Sequence, residues 1–417
     1  MKTNAAFCFL ALVFLCPTAA HAAFGDEYAK LTPNDASVEG QFGNSVGMSG
    51  NMAIIGAHND DDNGYYSGSA YLFDVASGSQ LAKLTPNDGA ADDYFGGSVG
   101  ISGNRAVVGA WRNDDDGLES GSAYLFDVAS SSQLAKLTAS DGAADDQFGL
   151  SVGISGNLAI VGAHMDDDNG VNSGSAYLFD VASGSQLAKL TPSDGAAEDR
   201  FGTSVAIDGN LAIVGAFGDN VNGNYSGSAY LFDVVSGAQL AKLTPSDGAA
   251  SDAFGVSVAL SGNLAIVGAS GDNDNGSNSG SAYLFDVTSG AQLAKLTASD
   301  GTEYDQFGVS VALSGNMAII GASGDSYLGL ATGSAYLFDV TTGSQLAKLT
   351  ASDARPHSTF FGAAVGISDN AAIVGAFYHN NGGTLGSAYL YHVPEPSALL
   401  LGALSAVALL AWSRRPS

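Results

Sequence analysis

Short acidic loops recur along the chain and carry the residue types that bind hard cations. The acidic loops are Asp60–Gly64, Asp114–Gly117, Asp166–Gly170 and Asp272–Gly276. Carboxylate and amide oxygens at alternate positions before a glycine let a short loop surround Ca²⁺, which takes about six to eight oxygen ligands. We therefore name as candidate ligands of weak calcium sites Asn59, Asp61, Asn63, Asp114, Asp116, Asp167, Asn169, Asp272 and Asp274.

The same loops have a second interpretation. No copy has the distant glutamate of a complete calcium loop, and the run is lost in later copies, at Asp325–Ser326 and His379–Asn381. Solvated acidic turns would then serve the solubility of a secreted protein and nothing else. Both interpretations stay open, and we predict no cofactor other than calcium.

Catalytic motifs are weak by comparison. A Gly-x-Ser-x-Gly pattern occurs at Gly43–Gly47, Gly96–Gly100 and Gly149–Gly153. A nucleophile elbow needs a strand-to-helix turn, whereas here the motif leads into a strand and recurs with the repeat. Outside the N-terminal segment, five histidines are scattered without metal-ligand spacing: His58, His164, His357, His379 and His392. We expect no catalysis.

An enzyme remains the alternative, because some repeat proteins place acids and bases on one face. It would be a glycoside hydrolase or polysaccharide lyase using carboxylates among Asp92, Asp93, Asp145 and Asp146. An active site usually breaks repeat symmetry, and the residues that depart most are Trp111, Arg112, Arg355, His357, Tyr378 and His379.

Composition limits the class of protein. Of 417 residues, 42 are acidic and 14 basic, for a net charge of −28, which argues against nucleic acid as a partner. The chain is not disordered by composition, since 46% of residues are hydrophobic. The only cysteines are Cys8 and Cys16, so the body has no disulfide and no thiolate metal site.

A repeat of about 53 residues positions these loops. Its Phe-Gly pairs begin at Phe42, Phe95, Phe148, Phe201, Phe254, Phe307 and Phe361. Each copy has four strand candidates, named a to d in chain order, which in the third copy are Ser151–Ile154 (a), Leu158–Val161 (b), Ser175–Val181 (c) and Gln186–Leu190 (d). Such a period predicts an all-β, seven-bladed propeller with four antiparallel strands per blade. Most acidic residues then fall on one face, in the d–a and b–c links.

The first strand of the body is predicted to close the ring. The seventh copy stops at Val393 without a fourth strand, and a matching segment stands at Tyr28–Thr32. An open ring would leave two unpaired edges. On the outer strand d we expect lysine to discourage edge-to-edge pairing, at Lys83, Lys136, Lys189, Lys242, Lys295 and Lys348.

Phe-Gly, then Val-Gly-Ala, then Gly-Ser-Ala-Tyr-Leu-Phe resembles the FG-GAP repeat of integrin α-subunit propellers and bacterial surface proteins. The resemblance spans roughly residues 24–393 and implies the propeller fold for a domain of residues 23–393. In integrin-type repeats, calcium binds between strands a and b. Here that link is only Ser-Gly-Asn, as at Ser102–Asn104, so family calcium binding cannot be transferred to it.

The two ends read as targeting segments. Residues 1–22 combine Lys2, an apolar run and the Ala20-His21-Ala22 cleavage site of a signal peptide. A membrane anchor and a lipoprotein signal at Cys16 are the alternatives.

Residues 394–417 contain Pro394-Glu395-Pro396, a short apolar run and Arg414-Arg415. This resembles the PEP-CTERM sorting signal, which implies a short transmembrane helix, transient membrane anchoring and processing by an exosortase-type enzyme. A permanent tail anchor is the alternative.

These features predict a protein of the surface or extracellular matrix of a Gram-negative bacterium. We expect it to be a binding or adhesion module whose ligand is a surface protein or an exopolysaccharide.

Overall fold

The computed structural model describes residues 25–35, 40–327, 330–354, 360–368, 370–378 and 386–393. Within these ranges the regular structure is entirely β, in seven four-stranded antiparallel sheets and one two-stranded hairpin. The sheets form a β-propeller, and the predicted fold class is confirmed. No helix in these ranges has the length and apolar character needed to cross a membrane.

In blades one to six the strands of each sheet follow one another in chain order from the axis outward. The N-terminal strand is β1 (Glu27–Leu31), and blade one contains β2 (Val46–Ser49), β3 (Met52–Ala57), β4 (Ser69–Asp74) and β5 (Ser79–Leu84). Blades two and three contain β6 (Phe95–Ser102), β7 (Arg105–Ala110), β8 (Ser122–Asp127), β9 (Ser132–Leu137), β10 (Ser151–Ser155), β11 (Leu158–Ala163), β12 (Ser175–Asp180) and β13 (Gln186–Leu190). Blades four and five contain β14 (Ser204–Asp208), β15 (Leu211–Ala216), β16 (Ser228–Asp233), β17 (Ala238–Leu243), β18 (Phe254–Ser261), β19 (Leu264–Ala269), β20 (Ser281–Asp286) and β21 (Gln292–Leu296). Blades six and seven contain β22 (Phe307–Ser314), β23 (Met317–Ala322), the hairpin β24 (Ser326–Tyr327) and β25 (Leu330–Ala331), β26 (Ser334–Asp339), β27 (Ser344–Leu349), β28 (Ala364–Ser368), β29 (Ala371–Ala376) and β30 (Ser387–His392).

The ring is closed by β1, as predicted. This strand pairs antiparallel with β30 and becomes the outer strand of blade seven, in the order β1-β30-β29-β28. Leu31 is buried, and the rings of Tyr28 and His392 stack with their centroids 4.3 Å apart. The seventh blade is therefore assembled from both ends of the propeller sequence.

The Phe-Gly pair joins each blade to the one before it. Phe95 is buried with its ring 5.5 Å from Tyr124 and 5.9 Å from Phe126. Gly96 has φ +87°, and a Cβ there would lie 2.2 Å from the carbonyl oxygen of Ser69. Only glycine avoids this clash, because strands of adjacent blades approach here through their backbones.

A ring of serine hydroxyls joins the innermost strands. Ser98 Oγ donates to the carbonyl oxygen of Gly149 at 2.8 Å, across the junction of blades two and three. Five further bonds of this kind are Ser45 to Gly96, Ser151 to Gly202, Ser204 to Gly255, Ser257 to Gly308 and Ser310 to Gly362. At the seventh junction the equivalent residue is Ala364. The serines of the Gly-x-Ser-x-Gly pattern thus bond neighbouring blades together.

Several predicted features lie outside the described residues. They are the signal peptide 1–22, Arg355, His357, His379, and the sorting segment with Pro394, Glu395, Pro396, Arg414 and Arg415.

Candidate binding face

A buried aspartate anchors the link between strands b and c in most blades. In blade three, Asp166 accepts hydrogen bonds from Tyr177 Oη at 2.8 Å and Ser175 Oγ at 3.1 Å. Both donors belong to β12, so the loop is held against the strand that follows it. The equivalent residues elsewhere are Asp60, Asn113, Asp219, Asp272 and Asp325.

A lysine from strand d completes this arrangement. Lys189 Nζ lies 2.7 Å from Asp141, 2.9 Å from Asp166 and 2.5 Å from Asp168. It also lies 5.1 Å from the centre of the Tyr177 ring. Burial opposes the charge, but the hydrogen bonds that the ammonium donates to the three carboxylates hold the pKa of Lys189 above its ordinary value.

The lysines therefore do something other than the sequence analysis expects. Lys83, Lys136, Lys242, Lys295 and Lys348 make equivalent ion pairs, each with an aspartate from the preceding d–a link. Their side chains are only about one-fifth exposed. The expectation that they protect the outer edge is wrong, because each ammonium folds onto the acidic face and joins two loops there.

Two groups of carboxylates could hold a metal ion among the described residues. One is Asp141, Asp166 and Asp168, and the other is Asp247, Asp272 and Asp274, with oxygens within 4.8 Å of one another. The second contains two predicted ligands, Asp272 and Asp274. Asp247 is not among the predicted ligands, because it comes from the preceding d–a link. In each group a lysine ammonium already contacts all three carboxylates.

Three other predicted ligands bond to their own loops. Asp61, Asp114 and Asp167 each accept a hydrogen bond from a backbone N–H five residues later, at 2.8, 2.7 and 2.7 Å. Asn220 and Asn273 make the same bond in blades four and five. Since asparagine serves equally well, this position needs an oxygen acceptor and not a negative charge.

The remaining predicted ligands are also separated from the carboxylate groups above. Asn63, Asp116 and Asn169 are exposed at the next turn, where their backbone N–H groups donate to serine hydroxyls. Asn59 is buried, and its backbone N–H donates to the carbonyl oxygen of Gly40 at 3.3 Å. The alternating pattern in sequence does not become one ligand set, because successive loop positions point to different partners.

The carboxylates considered for catalysis stabilise turns. Asp146 is buried and accepts a hydrogen bond from the backbone N–H of Ala143 at 2.7 Å, and Asp93 does the same with Ala90. Burial raises the pKa of Asp146, and that of its equivalent Asp199, to about 6. Asp92 and Asp145 are exposed at positive φ, 66° and 70°.

The central channel opens on this acidic face through a cavity of about 260 Å³. Its wall is built from the first residues of the inner strands, including Ser98, Val99 and Gly97. Two positions per blade stand at the same end of the inner strands as this opening, one directly after strand b and one directly before each Phe-Gly pair, because the register pairs the last residue of strand b with the phenylalanine. We call them the mouth residues; in order round the ring they are Gln41, His58, Tyr94, Trp111, Gln147, His164, Arg200, Phe217, Ala253, Ser270, Gln306, Ser323, Phe360 and Phe377.

The mouth residues break the sevenfold symmetry. Blades seven, one, two, three and four supply Phe377, His58, Trp111, His164 and Phe217 after strand b, whereas blades five and six supply serine. The aromatic arc therefore covers five neighbouring blades and leaves a polar gap. Trp111 is predicted from the sequence as a departure from the repeat, but the arc that it forms with neighbouring blades is not.

An aromatic cluster spans blades one and two within this arc. The ring of Tyr94 lies 5.5 Å from His58, 5.5 Å from Tyr66 and 5.2 Å from Trp111. The guanidinium of Arg112 lies 5.1 Å from the centre of the Tyr94 ring and 5.5 Å from that of Trp111.

Trp111 has room in this cluster because residue 97 is glycine. A Cβ at Gly97 would lie 2.8 Å from Cδ1 of Trp111. The equivalent residues in other blades are larger, among them Asn44, Leu150, Thr203 and Val256. The tryptophan and the glycine form a matched pair that the other blades do not repeat.

Comparison with known families agrees with this architecture. The FG-GAP repeat matches seven times, at residues 26–73, 79–126, 131–179, 185–232, 238–285, 291–338 and 344–391. The chain belongs to the FG-GAP repeat family. Each match begins in or just before a strand d and ends with the next strand c, so the first includes β1 and the last ends in β30.

A second match identifies the C-terminal segment of this FG-GAP protein. The PEP-CTERM protein-sorting motif covers residues 392–415, which implies export and targeting to the surface. None of the curated proteins compared with the chain matches it.

Proposed function

We propose that this FG-GAP protein is an exported binding module of the cell surface or extracellular matrix that holds its ligand at the mouth of the propeller and does not catalyse a reaction. The observation that supports this most is the aromatic arc. Seven nearly identical blades need no such asymmetry to fold, and aromatic side chains bordering a cavity with a few polar groups are typical of ligand sites.

The proposal includes the steps that bring the protein to its place. The signal peptide directs export, the C-terminal helix anchors the protein transiently, and an exosortase-type enzyme releases it. The PEP-CTERM match supports this route. The ligand is a surface protein or an exopolysaccharide, approached through the acidic face, and nucleic acid is excluded by the net charge of −28.

Calcium, in this proposal, binds weakly and only in the two carboxylate groups. Three carboxylate oxygens, one each from Asp141, Asp166 and Asp168, suit a hard cation. A divalent ion at that point must first displace the ammonium of Lys189, and this requirement lowers its affinity.

A binding screen of residues 23–393 tests the proposed function, because the strands in this range close the ring without either end of the chain. Surface proteins and glycans are presented with calcium and with chelator, and both binding and glycan cleavage are measured. Saturable binding without product supports a binding module. Hydrolysis or elimination of a glycan would overturn the proposal in favour of a glycoside hydrolase or polysaccharide lyase.

A further inference from the structure

We propose that the aromatic cluster of blades one and two is a subsite for one sugar ring of an uncharged glycan. This blade-two subsite consists of His58, Tyr66, Tyr94, Trp111, Arg112 and Glu119. The inference rests on the proposed function and specifies the class of ligand that the mouth binds.

The aromatic rings supply the apolar part of such a site. Tyr94 and Trp111 are partly exposed and inclined to each other by 45°, so they offer two adjacent ring surfaces to a ligand. Tyr65 stacks on Tyr66 at 3.8 Å and extends the aromatic surface outward, where it is 58% exposed. A pyranose ring presents a face of C–H groups that packs against aromatic faces of this kind, and tyrosine and tryptophan lose little conformational entropy on binding.

Polar groups at the edge supply the directional part. Arg112 is paired with Glu119, whose second oxygen accepts a hydrogen bond from Gln147 Nε2 at 3.1 Å. These groups hold one another in place and offer donors and acceptors to ring hydroxyls without reorganisation. Burial lowers the pKa of His58 to about 4, so its imidazole is neutral above that pH and adds no charge.

Charge decides between glycan classes. Exposed Asp61, Asp62, Asp92 and Asp114 lie on the loops around the subsite, on a face that carries most of the 42 acidic residues. Uronic acid or sulfated polysaccharides would be repelled from such a surface. The positive charge of Arg112, 5.1 and 5.5 Å from the centres of the Tyr94 and Trp111 rings, would repel a second cation at these rings. An uncharged sugar meets neither obstacle.

The chain provides its own replacement residues for a test. Glutamine occupies the position of Tyr94 in three blades, and serine occupies that of Trp111 in two. The double variant Tyr94→Gln/Trp111→Ser therefore retains side chains that the fold accepts elsewhere. The control is Tyr304→Asn, which removes an exposed tyrosine from the same face in the link between blades five and six, at a positive φ that asparagine tolerates.

Binding of neutral, cationic and anionic polysaccharides to residues 23–393 is measured by affinity electrophoresis and calorimetry. The probes are xylan, galactan and a β-glucan, then chitosan, then alginate. We expect at least one neutral glycan to bind with little dependence on salt. The double variant should lose affinity about tenfold with an unchanged melting temperature, and the control should bind like the parent.

Each other outcome overturns the inference in a distinguishable way. Unchanged binding by the double variant would place the sugar elsewhere while leaving a glycan-binding module. Preference for alginate or chitosan would contradict the assigned ligand class. Binding to a surface protein with no glycan bound would remove the subsite but leave the proposed function, whereas binding to no surface component at all would remove both.

Discussion

At the scale of single residues, the acidic face is organised by internal ion pairs. The lysine of each strand d neutralises an aspartate from the preceding d–a link and, in blades one and three to six, the buried aspartate of its own b–c link. In blade two the buried residue is Asn113, and Lys136 instead contacts Asp88 and Asp115. The carboxylates that look like a metal-binding signal in sequence are thus paired with lysines within the protein, although the net charge of −28 keeps the face acidic.

Removing one lysine should turn an ion-pair group into a metal site. Lys189→Met leaves Asp141, Asp166 and Asp168 facing one another, and we expect it to cost about 2 kcal/mol of stability in chelator, because charged hydrogen bonds are lost. Calcium should recover much of this loss, since it replaces the missing positive charge. The measurement is thermal unfolding with calcium and with chelator.

The matched control is Lys242→Met in blade four. There the third carboxylate is replaced by Val221, and only Asp194 and Asp219 remain. This variant should be destabilised but gain little from calcium. Equal calcium responses in both variants would show that the carboxylate groups are not the sites.

The buried carboxylates of the d–a links predict a pH dependence. The pKa values of Asp146 and Asp199 are about 6 in the folded protein, against 3.8 when exposed. The folded state therefore holds more protons between these values, so their stabilising contribution is complete below about pH 4 and is lost as pH rises through 6. Asp146→Asn/Asp199→Asn should raise stability at pH 7 by on the order of 1 kcal/mol per residue.

Urea unfolding at pH 5 and pH 7 measures this effect. Between the two pH values, the unfolding free energy of the double variant should change less than that of the parent. Asp145→Asn, on the exposed neighbour, should leave the parent's slope unaltered. A slope unchanged in the double variant would mean that these carboxylates are not the groups that titrate.

At the scale of elements, most strands of the propeller could be predicted from the sequence, whereas the side-chain contacts of its loops could not. Strands predicted for blade three agree with β10 to β13 within two residues at every end. The strands could be predicted because each is marked by a turn and an apolar run that are local in the sequence and recur in every copy. The role of Asp166 depends on Tyr177, 11 residues away, and Lys189, 23 residues away. Only a comparison between repeats indicates this role, because the equivalent Asp219 and Asp325 are present where neighbouring aspartates are lost.

The seventh junction lacks one bond that the others have. Ala364 stands where six blades have the serine that donates to the next blade. A Cβ built on Gly375 would lie 2.1 Å from the carbonyl oxygen of Gly43, as close as at the other junctions, so the acceptor is in place. Ala364→Ser should stabilise the protein by about 1 kcal/mol, as measured by denaturant unfolding.

The comparison variant is Ser204→Ala, which removes the bond between Ser204 and Gly255. This variant should lose a similar amount of unfolding free energy. If Ser204→Ala destabilises while Ala364→Ser has no effect, the blade seven junction differs in geometry from the rest.

Ring closure should depend on the N-terminal strand. Deleting Glu27–Leu31 exposes the edge of β30 and removes the buried Leu31, so the melting temperature should fall well below that of the parent. Leu31→Ala alone should cost about 2–5 kcal/mol, whereas Leu81→Ala, at a side chain 54% exposed, should cost less than about 0.5 kcal/mol.

A rescue experiment separates strand pairing from other effects of the deletion. The deleted strand is attached after Val393 through a four-residue turn like those in the other blades. Recovery of most of the lost stability is expected. If this variant does not recover stability, and Leu31→Ala does not lower it, closure by β1 is contradicted.

At the scale of the whole molecule, a closed, acidic propeller is combined with a sorting signal. If residues 394–417 serve sorting only, the surface form should end near Val393. Mass spectrometry of protein released from the surface checks this, and peptides containing Trp412 would contradict removal of the segment. A variant with Pro394→Ala and Pro396→Ala should accumulate unprocessed.

The asymmetric mouth should then hold the processed protein at its site. The most direct measurement is the fraction of processed protein retained on the surface or matrix of the producing cells, comparing the parent with Tyr94→Gln/Trp111→Ser and with the Tyr304→Asn control. We predict that the double variant is exported and processed normally but released into the medium, while the control is retained like the parent. Retention of the double variant at the parental level would contradict ligand binding at the mouth.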